Sequence, residues 1–516
     1  MRLQVALIFG EHMVLQREKP IRIWGTSAKN DVVTVRLNGQ SVTADAPYGK
    51  WCAVLEPEPA CNRTSLEIIS KATSEKIRFD DVAIGEVWLA GGQSNMEFIM
   101  KYDFDFQETK TLPDDTLLRC FTYPQAAFQG FLEVNPCAES GFWRLWTDEE
   151  ERKYFSAVAT YMGMLIRESL DVPVGIISCN WGGSPAAAWT AMEDLQNTEE
   201  LKPILDWYRK ACDETDWAKY IPASEAEVPP MTQEQLDFND RFMMGEDMTE
   251  FFRNFDPSKL PPVDFAPFTP GPRSTVRPAG LYENMLSKVA PYGLKGFVWY
   301  QGEDDDARDW AEFYDASMTT MIRSWRKLWK EQLPFYQIEL APFRGIGVTG
   351  AKKYPLIRHQ QAKAASGLPD VFDVCILDAG EEYNIHPRHK KIVGERLGRM
   401  VLKHSYGDRS LVADCPRFLD ARRCGDEIRL SFRNTAGKLE AAETLKEYLS
   451  VSAEGEPVPY DAEADGDVLL VKGSFGDRKV RIEYCETNYC VASLFNAEGN
   501  PVFGFTVEVD LSTTHE

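Results

Sequence analysis

The chain has 516 residues, of which 44% are hydrophobic and 27% are charged, and its net charge is -23 at pH 7. This length exceeds one ordinary hydrophobic core and predicts two or three domains. A strongly acidic protein repels phosphate backbones and acidic membrane surfaces. The composition therefore argues against nucleic-acid binding and favours a soluble protein that acts on neutral or small substrates.

No apolar run approaches the roughly 20 residues of a membrane-spanning helix, and the first residues alternate in polarity instead of forming a signal sequence. We therefore expect a cytosolic chain or a mature form whose signal was removed. The 11 cysteines include no C-x-x-C pair, which argues against a zinc cluster or a dense disulfide framework. Cys485 and Cys490 either bridge a hairpin or remain two buried thiols.

Three regions follow one another along the chain. Residues 1–80 contain short β runs separated by turn residues, which predicts a small β-sandwich, and a similar β domain is predicted at 412–516. Between them, residues 81–411 alternate strands with helices, a pattern typical of a parallel sheet covered by helices on both faces. The stretch at about 195–275 is acidic, then rich in proline, and predicts an insertion or lid.

The elements of the middle region are predicted from hydrophobic periodicity. Its strands are predicted at 82–90, 174–179, 295–300, 334–340 and 371–378, and its helices at about 153–170, 310–328, 356–366 and 387–403.

A polar cluster follows each of four of these strands. The clusters are GGQSN (91–95), NWGGSP (180–185), QGEDDD (301–306) and EEYNIHP (381–387). The carboxyl ends of parallel strands line one crevice of an open sheet. The four clusters therefore predict one active site.

Ser94 is a candidate nucleophile, and serine is also a preferred helix N-cap, so we expect it to serve as both. The G-x-S-x-G elbow of α/β-hydrolases is excluded because Met96 stands where glycine is required. A serine nucleophile usually needs an imidazole base. Of the six histidines, His386 alone lies in a loop after a strand, with Pro387 suited to the first position of the next helix.

Acyl transfer also needs hydrogen-bond donors that face the developing oxyanion. The amide of Gly182 or Gly183, the side chain of Gln301 and the backbone N–H of Ser94 are the candidates. A tight turn is the commoner use of paired glycines. A cap or a core hydrogen bond is the corresponding alternative for Gln301.

Four ordered motifs resemble the sialate O-acetylesterase branch of the SGNH/GDSL hydrolases. They are GEVWLAGGQSNMEF, VPVGIISCNWGGSPAAAWT, KGFVWYQGEDD and NIHPRHKKIVGERL, and the two ends of the chain resemble the flanking β regions of that family. The resemblance implies a flavodoxin-like, three-layer SGNH domain between β-sandwich-like regions. It implies a periplasmic or secreted enzyme, a cytoplasmic one remaining open, that removes acetyl groups from sugars without metal or cofactor.

By the same resemblance, Ser94 matches the nucleophile, His386 the base, and Gly183 and Gln301 the oxyanion positions. Glu303 matches an acid that supports the histidine. The family usually opens its last motif with Asp-Ile-His-Pro, and here Asn384 occupies the position of that aspartate. An amide orients an imidazole ring but does not stabilise the imidazolium.

Three arrangements of the acid remain open. Glu303 supports His386, or Asp378, Glu381 or Glu382 replaces the missing aspartate, or Ser94 and His386 act as a dyad, and Glu303 ranks first. The acidic run from Glu303 to Asp306 is expected to be a solvated loop and not a Mg²⁺ site.

The predicted function is removal of O-acetyl groups from sugars, most directly sialic acid. Acetylated xylan or pectin is the alternative substrate, and a catalytically weak glycan-binding protein is the alternative of another class. Trp181, Trp189 and Trp299 are candidates for stacking on a sugar, although core packing is the commoner use of such tryptophans.

Overall fold

The structure is a computed structural model that describes residues 2–134, 139–225, 232–245, 270–346 and 349–510. Its class is mixed α/β, as expected from the alternation of strands and helices. The insertion expected at about 195–275 lies partly outside the described residues.

The first region is built mainly from antiparallel strands that continue into the next sheet, and its strand β2 pairs with β8 in parallel. Its strands are β1 (Gln4–Val5), β2 (Val14–Gln16), β3 (Ile21–Thr26), β4 (Asp31–Leu37), β5 (Gln40–Ala46), β6 (Lys50–Leu55), β7 (Cys61–Ser70) and β8 (Lys76–Gly92). Strands β1, β3 and β6 form one sheet, whereas β5, β4, β7 and the first half of β8 form another. In β4, Val33, Val35 and Leu37 are buried at every second position, as expected for a half-buried strand.

Strand β8 joins this region to the middle one. Its 17 residues run without interruption, so the boundary predicted after residue 80 falls inside a strand. The other strands of the middle region are β9 (Asp115–Thr122), β10 (Trp143–Trp146), β11 (Val174–Asn180), β12 (Gly296–Tyr300), β13 (Phe335–Ile338), β14 (Gly345–Ile346), β15 (Thr349–Gly350) and β16 (Val371–Val374).

The central sheet has the spatial order β10-β9-β11-β8-β12-β13-β16. Every neighbouring pair is parallel except β10 with β9. If β8, β11, β12, β13 and β16 are numbered in chain order, they lie as 2-1-3-4-5. Strands β9 and β10 extend the sheet at the β11 edge. In such a sheet the ligand crevice lies at the carboxyl ends, where the strand order reverses beside the first strand.

Helices cover both faces of this sheet. The helices are α1 (Ser94–Glu97), α2 (Phe106–Thr109), α3 (Phe131–Val134), α4 (Glu149–Arg152), α5 (Ala157–Leu170), α6 (Met192–Gln196), α7 (Lys202–Asp213), α8 (Trp217–Glu225), α9 (Gln233–Met243), α10 (Ser287–Val289), α11 (Glu303–Ala307), α12 (Tyr314–Trp329), α13 (Tyr354–Gly367), α14 (Lys390–Tyr406) and α15 (Leu445–Tyr448). Short 3₁₀ turns span Met100–Tyr102, Ala186–Trp189, Glu199–Leu201 and Ala311–Phe313, and a π turn spans Tyr282–Leu286.

The two faces of β8 belong to different cores because successive side chains of a strand point to opposite sides. Trp88 packs in the core that α5 and α14 cover, whereas Leu89 packs in the core that α12 and α13 cover. Helices α5 and α14 approach closely at Gly394, where an added Cβ would lie 2.5 Å from the carbonyl oxygen of Val158. The result is a sheet between two helical layers.

The last region has its own hydrophobic core. Its strands are β17 (Arg417–Cys424), β18 (Glu427–Arg433), β19 (Leu439–Ala441), β20 (Leu449–Ala453), β21 (Glu456–Pro457), β22 (Tyr460–Asp465), β23 (Val468–Gly473), β24 (Val480–Tyr484), β25 (Leu494–Asn496) and β26 (Phe505–Val509). They form two four-stranded antiparallel sheets, β17-β18-β23-β22 and β21-β20-β24-β26, and the pair β19-β25. Phe418 and Phe505 stack between the two sheets with ring centroids 5.3 Å apart.

Helix α14 begins at Lys390, so the expectation that Pro387 opens it is wrong. Contacts from distant segments explain the later start. The backbone N–H of Arg388 donates to Glu381 at 2.6 Å, and that of Lys390 donates to Asp103 at 3.0 Å. These carboxylates hold the chain in a bend for three residues before the helix starts.

Cys485 and Cys490 are two buried free thiols. Within the described part of the chain, no helix combines the length and the apolar character that a membrane crossing requires.

Candidate active site

The loops that follow β8, β11 and β12 meet at the carboxyl edge of the sheet. The backbone N–H of Gln93 donates to the carbonyl of Tyr300 at 3.1 Å, and that of Trp181 donates to the carbonyl of Gly92 at 3.1 Å. These bonds tie the GGQSN segment to the neighbouring strand ends. The crevice expected from the strand order therefore lies where the polar clusters converge.

Ser94 is the first residue of α1, and Gln93 takes the cap position without a side-chain hydrogen bond. The expectation that Ser94 caps this helix is therefore wrong. Strand-like pairing to Tyr300 extends through Gln93, so the helix begins one residue later than a serine cap requires. The backbone N–H of Ser94 meets no acceptor among the described residues.

Gly183 lies in the turn after β11 with a φ of 65°, a conformation that glycine adopts without strain. Its backbone N–H also has no acceptor in the part of the chain that the structure describes. The preceding residue, Gly182, lies beside the serine, since an added Cβ there would be 3.2 Å from the Cβ of Ser94. Two free amides, those of Ser94 and Gly183, therefore belong to adjoining segments.

Gln301 is fully buried, and its side chain is committed to the protein. Its Nε2 donates to the carbonyl of Ser184 at 3.2 Å and to Asp305 Oδ2 at 2.6 Å, while its Oε1 accepts from the hydroxyl of Tyr314 at 2.8 Å. A side-chain amide has two hydrogens to donate, and both are used here. Gln301 therefore braces the turn that contains Gly183.

His386 lies half-buried in the loop after β16, and its ring meets Phe242 of α9 edge to face at 5.9 Å. Its Nδ1 is buried and makes no hydrogen bond with any described residue. Burial, together with the charge of Lys390, lowers the pKa of His386 to about 3. The imidazole is therefore neutral at physiological pH and able to accept a proton.

Asn384 contacts the backbone of His386 and not its ring. Its Oδ1 accepts the His386 backbone N–H at 3.0 Å, and its Nδ2 donates to Glu381 at 3.1 Å. The other candidate acids have partners of their own: Asp378 pairs with Arg396, and Glu382 pairs with Arg344. No carboxylate of the described residues bonds to the imidazole.

Glu303 is buried and bonded to Asn95, the residue after Ser94, with 2.5 Å between Asn95 Nδ2 and Glu303 Oε1. The same Nδ2 donates to the carbonyl of Ile385 at 3.0 Å. Burial raises the pKa of Glu303, against the opposing effects of Asn95 and Lys390. Asn95 thus links the predicted nucleophile, the predicted acid and the residue before His386.

Lys390 completes this buried network. Its Nζ donates to Asn95 Oδ1 at 2.5 Å, and burial lowers its pKa to about 7 although Glu303, Asp103 and Glu381 favour the charged form. Neither Asn95 nor Lys390 was selected from the sequence. Asn95 follows Ser94 by one position and Lys390 follows His386 by four. This proximity to predicted catalytic residues was the only sign in the sequence that they belong to the site.

No hydrogen bond joins Ser94 to His386 among the described residues, and the two segments meet through Asn95. In free enzymes the bond between nucleophile and base is often long and tightens when substrate binds. The arrangement therefore allows acyl transfer without presenting an assembled triad.

The acidic run after β12 forms α11 and is not the expected solvated loop. Its carboxylates take partners inside the protein: Asp305 accepts the Ala186 N–H at 3.0 Å, and Asp306 accepts the N–H groups of Lys352 and Lys353. Desolvation raises the pKa of Asp305 to about 7. Among the described residues, no three side chains of His, Cys, Asp or Glu are grouped so that they could hold a metal ion.

Trp189 and Trp299 are fully buried and pack against each other at 6.2 Å, so they belong to the core, the commoner use of such tryptophans, and are not available to stack on a sugar. Trp181 is half-buried and meets Phe131 edge to face at 5.6 Å. Phe131 also lines an open cleft of about 860 Å³. The cleft is also lined by aromatic residues, by two bases and by two acids: Trp24, Tyr123, Phe128, Arg277, Lys288, Glu133 and Glu283.

The chain is similar to known carbohydrate esterases in sequence and in structure. A family model described as "Carbohydrate esterase, sialic acid-specific acetylesterase" matches residues 269–403. Sialate O-acetylesterase from Rattus norvegicus is 25% identical over 449 residues, which are 78% of this chain and 74% of the rat protein. The Homo sapiens protein of the same name is 26% identical over 448 residues, 78% of this chain and 71% of its own.

Among solved structures, a carbohydrate acetylesterase from Xanthomonas citri superposes with a TM-score of 0.75 and 25% identity. The match covers 98% of this chain and 99% of that chain. The likeness thus extends over the two β regions as well as the central sheet.

Proposed function

We propose that this chain acts on O-acetylated sialic acid through Ser94. It belongs to the sialate O-acetylesterase family and is a carbohydrate esterase that removes O-acetyl groups. The observation that carries the proposal is the convergence of Ser94, the free amide of Gly183 and the His386 loop at one edge of the sheet. The fold that we propose is the flavodoxin-like SGNH layout, which the 2-1-3-4-5 order of five strands supports.

In the proposed reaction, Ser94 Oγ attacks the acetyl carbonyl while His386 takes the hydroxyl proton. The amides of Ser94 and Gly183 donate to the oxyanion that forms. His386 then returns the proton to the leaving sugar oxygen, and water hydrolyses the acetyl-enzyme to acetate. Pre-positioned amides of this kind stabilise the transition state more than the ground state and so raise kcat.

The cleft beside Trp181 supports a sugar substrate. Its volume of about 860 Å³ falls within the range of ligand-binding clefts, and its aromatic lining suits the apolar face of a sugar. Arg277 pairs with Glu283, another residue of the cleft, at 2.6 Å, whereas Lys288 makes no ion pair with a described residue. Sialic acid carries a carboxylate and neutral xylan does not, so Lys288 favours sialic acid as the substrate.

Substrate class is tested by the release of acetate from O-acetylated sialic acids and from acetylated xylo-oligosaccharides. We expect kcat/KM to be about 2- to 5-fold higher for the sialic acids, since an exposed ion pair with the carboxylate is worth up to about 1 kcal/mol. Lys288→Gln should raise KM for the sialic acids and leave the xylo-oligosaccharides unchanged. A preference for xylo-oligosaccharides would assign the enzyme to a plant polymer, and no turnover of either would favour a glycan-binding protein.

We propose that Glu303 is the supporting acid and that it acts through Asn95 and the charge of Lys390. Glu303→Gln should lower kcat by about 100-fold, since it removes the negative charge nearest a buried cation beside the base. Asn384→Ala should lower kcat by about 10-fold or less, because Asn384 holds only the backbone of His386. Steady-state kinetics of the two variants tests this ranking, and the reverse order would reject Glu303 as the acid.

A further inference from the structure

Glu97 lies three residues after Ser94, at the end of α1, and no step of the proposed reaction uses it. Its Oε2 accepts the backbone N–H of Gly182 at 2.7 Å, and its Oε1 accepts Nε2 of Gln125 at 3.0 Å. One side chain thus connects the nucleophile helix, the turn after β11 and the loop after β9. A Cβ added to Gly182 would lie 3.2 Å from the Cβ of Ser94 and 3.4 Å from Glu97 Oε2, so this close approach favours a residue without a side chain.

The hydrogen bond to Glu97 gives the amides of Gly182 and Gly183 different roles. The Gly182 amide is committed to Glu97, whereas the Gly183 amide has no acceptor among the described residues. The two amides are consecutive in the chain, so only the φ and ψ rotations of Gly182 separate their planar peptide units. The hydroxyl of Ser184 closes the turn by donating to the carbonyl three residues earlier at 2.6 Å. Holding the first amide against a side chain of α1 within this closed turn therefore restricts the direction of the second relative to Ser94, which lies on the same helix.

The geometry points to Glu97 as a positioning residue that holds the Gly183 amide in place for the oxyanion. This inference rests on the proposed mechanism through Ser94 and adds a residue that contacts neither the substrate nor the imidazole. Gln125 supports this role, because its amide donates to the other carboxylate oxygen of Glu97 and so fixes the rotamer of that side chain.

A purely structural brace is the competing explanation, and both explanations must account for an acid at this position. A carboxylate next to a forming oxyanion opposes it electrostatically, and burial raises the pKa of Glu97, so the position is costly for an acid. A glutamine brace would avoid that charge but would leave one of the two N–H donors facing another donor. The acid is thus the residue type that accepts both hydrogen bonds at once.

The test is a double-mutant cycle at positions 97 and 125, with acetate release from p-nitrophenyl acetate as the assay. Glu97→Gln leaves one of the two donors without an acceptor and should lower kcat by about 10- to 100-fold with KM within about twofold. Gln125→Glu brings two carboxylates together and should be at least as slow. The double variant exchanges the two side chains and restores both hydrogen bonds of the carboxylate, and it loses the 3.4 Å bond from Gln125 Nε2 to the carbonyl of Asn180. Its introduced amide accepts from Gly182 and donates to the introduced carboxylate, so this variant should be faster than either single variant.

Two further measurements separate positioning from folding and from the proposed function. Affinity for a trifluoromethyl ketone, which forms a tetrahedral adduct on serine, should weaken in Glu97→Gln by about the same factor as kcat. Glu108→Gln, the same change at an exposed position of α2, is the matched control and should keep wild-type kinetics. Melting temperatures report whether any variant is unfolded at the assay temperature.

The outcomes are distinct. If wild-type protein is not labelled at Ser94 by a fluorophosphonate, the proposed mechanism through Ser94 is rejected, and the role inferred for Glu97 is rejected with it. If Ser94 is labelled but Glu97→Gln changes only KM or melting temperature, the inference is rejected and Glu97 is a structural brace. A double variant that is slower than both single variants would also reject it. If the single variants do not fold, the affinity of a folded double variant for the trifluoromethyl ketone tests the inference. An affinity far below that of wild type would overturn the proposal.

Discussion

Ser94→Ala is expected to lower kcat for acetate release by about 10⁴-fold or more, the scale of loss seen when a serine nucleophile is removed. The hydroxyl is the group that forms the acetyl-enzyme, and the free amides of Ser94 and Gly183 have no tetrahedral adduct to stabilise without it. Initial rates with p-nitrophenyl acetate and with an O-acetylated sialic acid measure the loss. Mass spectrometry of protein treated with a fluorophosphonate should locate the adduct on Ser94.

Ser184→Ala is the matched control, because Ser184 lies in the adjacent turn but is fully buried. Its hydroxyl donates to the carbonyl of Trp181 at 2.6 Å and accepts from Trp189 at 2.9 Å. This variant should lose stability while retaining measurable turnover and the label on Ser94. Wild-type rates in Ser94→Ala would reject the assignment of the nucleophile.

His386→Gln is expected to lower kcat by about 10³-fold or more, since glutamine fills the space of an imidazole but accepts no proton from Ser94. His389→Gln, the same change three residues later on an exposed ring that stacks on Phe104, should stay within about twofold of wild type. The two variants measured in parallel separate loss of the base from a general disturbance of the loop.

The pH dependence of kcat/KM tests the environment of the base. A histidine whose pKa is lowered to about 3 remains neutral far below the ordinary value near 6.5, so the wild-type rate should stay flat from about pH 6 to pH 5, below the pKa of about 7 of Lys390. Stability follows the same group: the unfolded chain binds a proton below about pH 6.5 and the folded chain does not. This contribution to stability is therefore present above pH 6.5 and is lost as the pH falls towards 3.

A rate that falls about 10-fold between pH 6 and pH 5 would contradict this expectation. It would mean that a carboxylate bonds to Nδ1 of His386 in the working enzyme and raises its pKa, as the usual aspartate of the family motif would. The profile thus decides between a dyad and a triad. Asn384 makes the question specific to this chain, because its amide contacts the backbone of His386 and not the ring.

The elements of the middle region were largely predictable because they depend on local patterns. The apolar run at 174–179 and the helical period at 310–328 correspond to β11 and α12. Errors fell at the ends of elements. The structure starts α14 at Lys390 and not at Pro387. Glu381, in the same loop, and Asp103, remote in sequence, accept hydrogen bonds from backbone N–H groups in between.

The prediction that the acidic run from Glu303 to Asp306 forms a solvated loop was wrong for a related reason. A run of carboxylates is usually solvated, and its sequence contains no sign that Asp305 meets the Ala186 amide or that Asp306 meets two lysine amides. Those donors come from segments more than 40 residues away. Burial of an acid depends on such partners and not on its neighbours in the chain.

The sequence by itself determined the succession of strands and helices, the four polar clusters at strand ends and the family resemblance, since each depends on residues close together in the chain. Only the tertiary structure decided which polar groups are bonded to each other. Asn95 meets Glu303 across 208 positions and Lys390 across 295, and Glu97 meets Gly182 across 85. Hydrogen bonds act over about 3 Å, so their partners are chosen by how the sheet brings its loops together.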